Sequence, residues 1–316
     1  MKKLLPLLLL ILIGCSEPEP LNYQMLVQRD GFYYVKDTNE VYSGPVFNIE
    51  GKSTGYIKKG KWNGEFEFYH SNGQLHGIGS YKDGDGSDLG ITGIPKSGRE
   101  GPWKWYDENG QLLEERIWKD GKEDGPWKSY HDNGQLKGEG TFNDGKIYGP
   151  FKSYHDNGQL KVEGTSKDSK LDGPFKSYYE NGQLKEDGTM KDGILDGPYK
   201  SYNDNGQLLE ESTYKDGELD GPFKDYHENG QLQEESTYKD GELDGPFKLY
   251  YENGQLEEEG TWKDGKGDGP FKLYYENGQL KEEGTWKVGV LIDSKEYEYN
   301  EDLLNDTSGS FVSDKD

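Results

Sequence analysis

A single 24-residue unit recurs along most of this 316-residue chain, and no other feature limits the fold as much. Eight copies run in strict register from Gly101 to Ile292, with Asn-Gly-Gln recurring at Asn109, Asn133, Asn157, Asn181, Asn205, Asn229, Asn253 and Asn277. Two further units precede them. Gly44 to Asn63 is a shortened copy, and Gly64 to Glu100 is a lengthened one with an insertion around residues 84–97. A period of this size marks one supersecondary unit stacked on copies of itself.

The unit Gly173 to Asp196 shows what that element is. Pro174 to Tyr179 is a short aromatic run, Glu180-Asn181-Gly182-Gln183 a turn, Leu184 to Lys191 a second run and Asp192-Gly193 a second turn. Asn-Gly and Asp-Gly are strong hairpin signals, because both positions tolerate positive φ. Two such turns and a proline in every unit leave no room for a helix. The chain is therefore expected to be all-β, an elongated single-layer antiparallel sheet of tandem hairpins. Along the second run Leu184, Glu186, Gly188 and Met190 point one way and Lys185, Asp187 and Thr189 the other. Gly188, or Ser212 and Ser236 in sister units, keeps a place small enough for a ring from the neighbouring hairpin. Phe175 and Tyr178 are three apart, which implies either a bulge or two partly covered faces. Lys176, between them, is placed to meet nearby carboxylates.

The N-terminus reads as a separate segment. Lys2 and Lys3 precede an apolar stretch, Leu4 to Ile13, too short to span a bilayer as a mature helix. It ends in Leu12-Ile13-Gly14-Cys15, which resembles a bacterial lipobox. Residues 1–14 are then a lipoprotein signal peptide and Cys15 the lipidated (palmitate-bearing) residue. It is the only cysteine, so no intrachain disulfide can form. Residues 15–28 read as a tether, 29–43 as an N-terminal cap, 44–292 as ten repeats and 293–316 as a C-terminal cap with an acidic tail. Loss of Lys2 and Lys3 with the leader takes the formal charge from −24 to −26. Such a field repels nucleic acid and anionic headgroups. Hydrophobic content is only 30%, but the 13% of aromatic residues sits at fixed repeat positions, which argues against disorder.

Few residues offer chemistry. Asp83, Asp85, Ser87 and Asp88 supply oxygens, but the glycine and glutamate an EF-hand needs are missing, and an acidic loop is the better reading. His131, His155 and His227 occupy a position that sister units fill with Tyr179, Asn203 or Tyr251. Adjacent pairs such as Glu114-Glu115, Glu210-Glu211 and Glu282-Glu283 point to opposite sides of a strand and form no catalytic dyad. No nucleophile elbow, phosphate loop or metal-binding motif occurs. No catalytic, cofactor or metal residue is expected. The candidate interaction surface is the aromatic ladder, with Trp103, Trp105, Trp127, Tyr178, Tyr202, Tyr250, Tyr274, Trp262 and Trp286.

The run Tyr-x-x-Asn-Gly-Gln-Leu-x-x-Glu-Gly-x-Tyr-Lys-Asp-Gly-Lys resembles the bacterial variant of the MORN repeat, found in lipoproteins and in proteins labelled antitoxin-like. The resemblance covers Gly44 to Ile292. It implies a single-layer twisted sheet that serves as a scaffold, and carries no chemistry to any residue. The leading expectation is a non-enzymatic cell-envelope lipoprotein, in the outer membrane, that binds an unidentified protein partner and meets the membrane only through its lipid. A carbohydrate or cell-wall binding module is the alternative, and an antitoxin or immunity protein a third reading.

Overall fold

The structure, a computed structural model, describes residues 18–48, 53–90 and 93–300. Cys15, the leader and the acidic tail beyond residue 300 lie outside the described residues. Helix is limited, among those described, to one 3-10 turn, Tyr23–Met25. Everything else regular is strand, and the chain divides into two compact units, residues 1–146 and 147–316.

In the second unit the hairpin Lys170–Tyr178 with Leu184–Lys191 sets the pattern. Phe175 pairs with Gly188, Lys176 with Asp187 and Ser177 with Glu186. The next strand, Ile194–Tyr202, continues it, with Gly188 opposite Tyr199 and Asp187 opposite Lys200. Directly opposed residues share a face, so one side carries rings against small residues and the other carries lysines against carboxylates. The two rings three apart sit on opposite faces: Phe175 on the glycine side, Tyr178 on the lysine side, where its hydroxyl reaches Glu163. A bulge is present as well, on the partner strand, where the register skips Lys185 and sets Leu184 opposite Tyr178. Leu184 is thereby moved out of the Glu186, Gly188 and Met190 row expected for it.

The two turns differ. At Asp192-Gly193 both residues have positive φ, 51° and 86°, a type I′ geometry that matches the strand twist. At Asn181-Gly182 only Gly182 does, at 84°. Gly182 N–H returns to the Tyr179 carbonyl and Tyr179 N–H to that of Gln183, a type I turn closed by a glycine bulge. Asn181 contributes its side chain instead, accepting from Gln183 N–H at 2.9 Å. The proline-bearing strands carry a second irregularity. Gly188 pairs with Tyr199 and Met190 with Leu195, so Asp196, Gly197 and Pro198 face Thr189 alone. Gly197 takes φ 130° there, and a Cβ on it would lie 3.2 Å from that of Thr189.

The first unit holds a true core: Leu26, Tyr33, Val46, Ile57, Trp62, Phe66, Phe68, Tyr81, Ile94, Trp103, Trp105 and Trp118 pack together. Part of the expected tether belongs to it. Leu21–Asn22 runs parallel to Val46–Phe47, and Leu26–Arg29 forms a hairpin with Phe32–Val35. The C-terminal strand, Val290–Glu296, departs from expectation in the other direction. It pairs with Leu280–Lys287, yet Val288, Val290, Leu291 and Ile292 are exposed rather than closing a core.

Candidate functional site

The lysine face is internally satisfied. Lys104 meets Glu115 at 2.9 Å, Lys152 meets Glu163 at 3.3 Å, Lys176 meets Asp187 at 3.1 Å, Lys224 meets Glu235 at 3.3 Å, and Lys200 pairs with Glu211. Of these carboxylates three also accept from a tyrosine one strand on, Tyr130 on Glu115 at 2.9 Å, Tyr178 on Glu163 at 3.0 Å and Tyr226 on Glu211 at 3.3 Å, and Tyr274 donates likewise to Glu259 at 2.9 Å. Lysine hydrogen bonds hold Glu115 and Glu211 below the usual carboxylate range. Burial, then the bond to the carboxylate, pushes Tyr178 and Tyr274 up to about 12.

The turn edge consumes the histidines. His155 Nε2 lies 2.9 Å from the Tyr178 carbonyl and His227 Nε2 lies 2.7 Å from that of Tyr250, in each case on the next repeat. In sister units Tyr179 and Tyr251 donate to the equivalent carbonyls, each at 2.8 Å. Where the position holds Asp107 or Asn203, that side chain turns inward to cap its own loop. Gln111 and Gln207 then reach the next repeat, donating to the carbonyls of His131 and His227. Asn157, Asn181, Asn229 and Asn253 bridge in parallel, for example Asn181 Nδ2 to the Asp204 carbonyl at 2.6 Å. Among the described residues no group of three or more His, Cys, Asp or Glu side chains is placed to hold a metal.

The glycine face differs between the two units. In the first it is covered by the insertion. Ile94 is buried, and the carbonyls of Ile94 and Pro95 accept from Arg99 at 2.8 and 2.9 Å, while Tyr81 donates to Pro95. Arg99, only 2% exposed, lies among the rings of Trp103, Trp105 and Trp118 at 4.6, 5.2 and 4.5 Å. Burial lowers the pKa of its guanidinium. Trp103 and Trp105 are therefore core residues, not the exposed ladder expected of them, because the strap of the preceding repeat packs against them. Sequence reasoning passed over Arg99 and Arg116. A signal existed, since Arg99 replaces the leucine of Leu171 and Leu195, and Arg116 stands in the Gly188 position. Arg116 is tied to Glu114 and Glu123 at 3.0 and 3.1 Å.

In the second unit rings alternate with small residues across the strands; Phe175, Phe247 and Phe271 are buried by their neighbours, and the other rings of the row are half-buried. Ring pairs recur along the row: Tyr199 with Tyr214 at 5.8 Å, Phe223 with Tyr238 at 5.4 Å, Phe247 with Trp262 at 6.0 Å and Phe271 with Trp286 at 5.6 Å. Gly188 shows why the small position is required, as a Cβ on it would touch both Phe175 and Tyr199 at 3.0 Å. Trp262 and Trp286 are half-buried members of this row, and Trp127 holds the equivalent place in the first unit. Tyr178, Tyr202, Tyr250 and Tyr274 fall on the lysine face instead, at the ends of their strands. The expected surface is thus split between two faces of opposite chemistry.

A family model described as MORN repeat variant matches nine segments: residues 62–83, 99–120, 123–144, 147–168, 171–192, 195–216, 219–240, 243–264 and 267–287. No curated protein matches the chain. Two solved structures are similar in local pattern, "Crystal Structure of TcdB2-TccC3" at 12% identity and TM-score 0.19, and "Crystal Structure of TcdB2-TccC3-Cdc42" at 14% and 0.18. The matches cover 76% and 75% of this chain but only 16% and 14% of those chains.

Proposed function

The chain belongs to the MORN repeat variant family, and from that premise we propose that it is a non-enzymatic, lipid-anchored protein of the bacterial cell envelope. A repeat-built binding or scaffold role follows from the family; a protein partner and a lipid-anchored place in the envelope go beyond it. The observation that carries the reading is the ring row of the second unit, in which Tyr199, Tyr214, Phe223, Tyr238, Trp262 and Trp286 remain half-exposed. The lysine face and the turn edge are occupied with bonds within and between repeats, which leaves the rings as the surface with unspent contact chemistry. Alternating rings and small residues rimmed by carboxylates suit a protein partner, whose apolar side chains fill the gaps between rings. The anchor assignment rests on Leu12-Ile13-Gly14-Cys15. Ser16 after the cysteine favours the outer membrane by resemblance to lipoprotein sorting.

Two experiments test the reading. A photo-crosslinking residue placed at Phe223 or Tyr238 should yield one discrete protein adduct in cells, and the same probe at Lys224 should not. Cys15→Ala should release the protein from the membrane fraction and leave the leader unprocessed. Normal processing and continued membrane association of that variant would remove the anchor. A second reading, carbohydrate binding, draws on Trp262 and Trp286, since indoles stack on sugar rings. Retention on peptidoglycan or on a glycan array, lost on Trp262→Ala, would favour it.

A further inference from the structure

The last two repeats of the second unit depart from their sisters at several positions, and the departures converge on one cavity between them. In three preceding repeats the glutamate on the glycine face accepts from hydroxyls. Glu210 accepts from Ser212 at 2.6 Å and Tyr214 at 3.3 Å, and Glu234 from Ser236 at 2.6 Å and Tyr238 at 3.4 Å. Glu186 accepts from Ser177 at 2.6 Å. At Glu258 all of these donors are absent, as they are at Glu282 of the following repeat, where Gly284 and Trp286 stand and Leu273 lies opposite. The Glu258 repeat alone adds a missing side chain beside the rings. Gly260 replaces the serine of its own strand and Trp262 the tyrosine. Leu249 and Leu273 stand opposite it, where Ser177 and Ser201 flank Glu186. The same repeat also loses an apolar group, because Gly267 takes the position of Leu171, Leu195, Leu219 and Leu243.

The result is a slot of about 310 Å³ lined by Glu258, Trp262, Gly267, Phe271 and Trp286, together with the exposed side chains of Thr261 and Lys266. The deletion at Gly267 is built into the packing, as a Cβ on it would lie 3.0 Å from Cγ of Trp286. Trp286 in turn lies 5.6 Å from Phe271, centroid to centroid. Burial, with the charge of Glu257, raises the pKa of Glu258. A carboxylate set among indole and phenyl rings, bonded to neither Thr261 nor Lys266 of the same slot, is a poor structural element. Each of its departures from the repeat removes an internal partner while retaining or enlarging ring area.

We propose that this slot is a binding site for a small organic cation of the alkylammonium class, with Glu258 as the counter-charge and Trp262, Phe271 and Trp286 as the walls. Ring faces attract a diffuse cation through their quadrupole, and a methylated ammonium, weakly hydrated, gives up little on entering an apolar slot. A carboxylate beneath the rings sets the sign of the charge and excludes anions. A neutral sugar would use the rings but would gain nothing from the ionised Glu258. The site uses rings of the same row but is tested separately from the protein-partner reading, since it rests on Glu258 and the gap at Gly267.

Tetramethylammonium chloride is the probe, titrated into the full chain at constant ionic strength and followed by indole fluorescence and calorimetry. Sodium chloride is the blank. The wild type should bind with one site per chain. Glu258→Gln, close in shape, should raise the dissociation constant about tenfold. Gly260→Ser rebuilds the sister arrangement, because a Cβ there makes only ordinary contact with Phe271 at 3.5 Å, and its hydroxyl can reach Glu258 as Ser212 reaches Glu210. That variant should fold as the wild type does and also weaken binding. Absence of saturable binding to the wild type would overturn the proposal, as would binding that Glu258→Gln leaves unchanged. Binding of methyl glucoside but not of tetramethylammonium, insensitive to Glu258→Gln, would overturn it in favour of a sugar subsite. None of these outcomes depends on whether a protein partner is found.

Discussion

At the scale of single residues, Arg99 and Tyr178 do the most with the least sequence warning. Arg99 replaces a leucine, yet its guanidinium stacks among three indoles and ties down the strap through two carbonyls. Arg99→Leu restores the repeat consensus but removes two charged hydrogen bonds and the stacking on three indoles, leaving the Ile94 carbonyl to Gly90 N–H and that of Pro95 to Tyr81. It should therefore destabilise the first unit by about 2 kcal/mol. Denaturant unfolding gives the magnitude, and faster amide exchange in residues 84–97 should locate it. A loss near zero would mean that Ile94 alone holds the strap. Tyr178 couples stability to alkaline pH. Its folded pKa, about 12, lies above the value near 10 of the unfolded chain. The stability it contributes is fully present below pH 10 and is lost as pH rises through about 12. Tyrosinate absorbance should therefore develop late in the folded protein, and Tyr178→Phe should reduce the late-titrating fraction and flatten the alkaline loss of stability. An unchanged titration would remove Tyr178 from that role.

At the scale of elements, the hairpins impose their glycines through geometry. Gly197 bridges the bulge with φ 130° against Thr189. Gly197→Ala meets both a forbidden backbone region and a close contact, and should destabilise the second unit by about 1–3 kcal/mol. Chemical denaturation checks it, and a loss within a few tenths of a kcal/mol would show that the bulge relaxes. Much at this scale was legible from sequence, because period, turn chemistry and strand alternation are local. The hairpins, the ring-sized gap at Gly188 and the lysine–carboxylate pairs on one face follow from spacing alone. What was not legible depends on distant or compensating partners. The burial of Trp103 and Trp105 requires the strap to fold back, and spacing does not say where an insertion goes. The side on which Leu184 sits depends on a bulge whose position no residue type announces. The isolation of Glu258 could be read only once the hydroxyls around Glu210 and Glu234 had been located. The swap between Tyr179 and Asn203 looked like tolerance, but it is paired with a change in what Gln207 does.

At the scale of the whole molecule, the two units gain stability differently. The first has a common core of a dozen residues, and the second is assembled from bonds that reach only adjacent repeats. Stability there should approach a sum of local and nearest-neighbour terms. Deleting Gly197 to Asp220 joins Asp196 to Gly221 in the same register, so the product should unfold cooperatively with a smaller denaturant dependence. Deleting only residues 197–208 should instead unfold the second unit, because it removes a strand and reverses every later one. Equal tolerance of the two deletions, by circular dichroism and denaturant titration, would rule out register as the organising principle. The bonds at the turns carry this into heredity. Asn181 and its counterparts donate to a main-chain carbonyl, an acceptor that every amino acid supplies. A recombination that duplicates or drops one coding period therefore needs no matching change in the neighbour. The array can drift in length across generations by whole repeats, while any fractional slip is removed by selection.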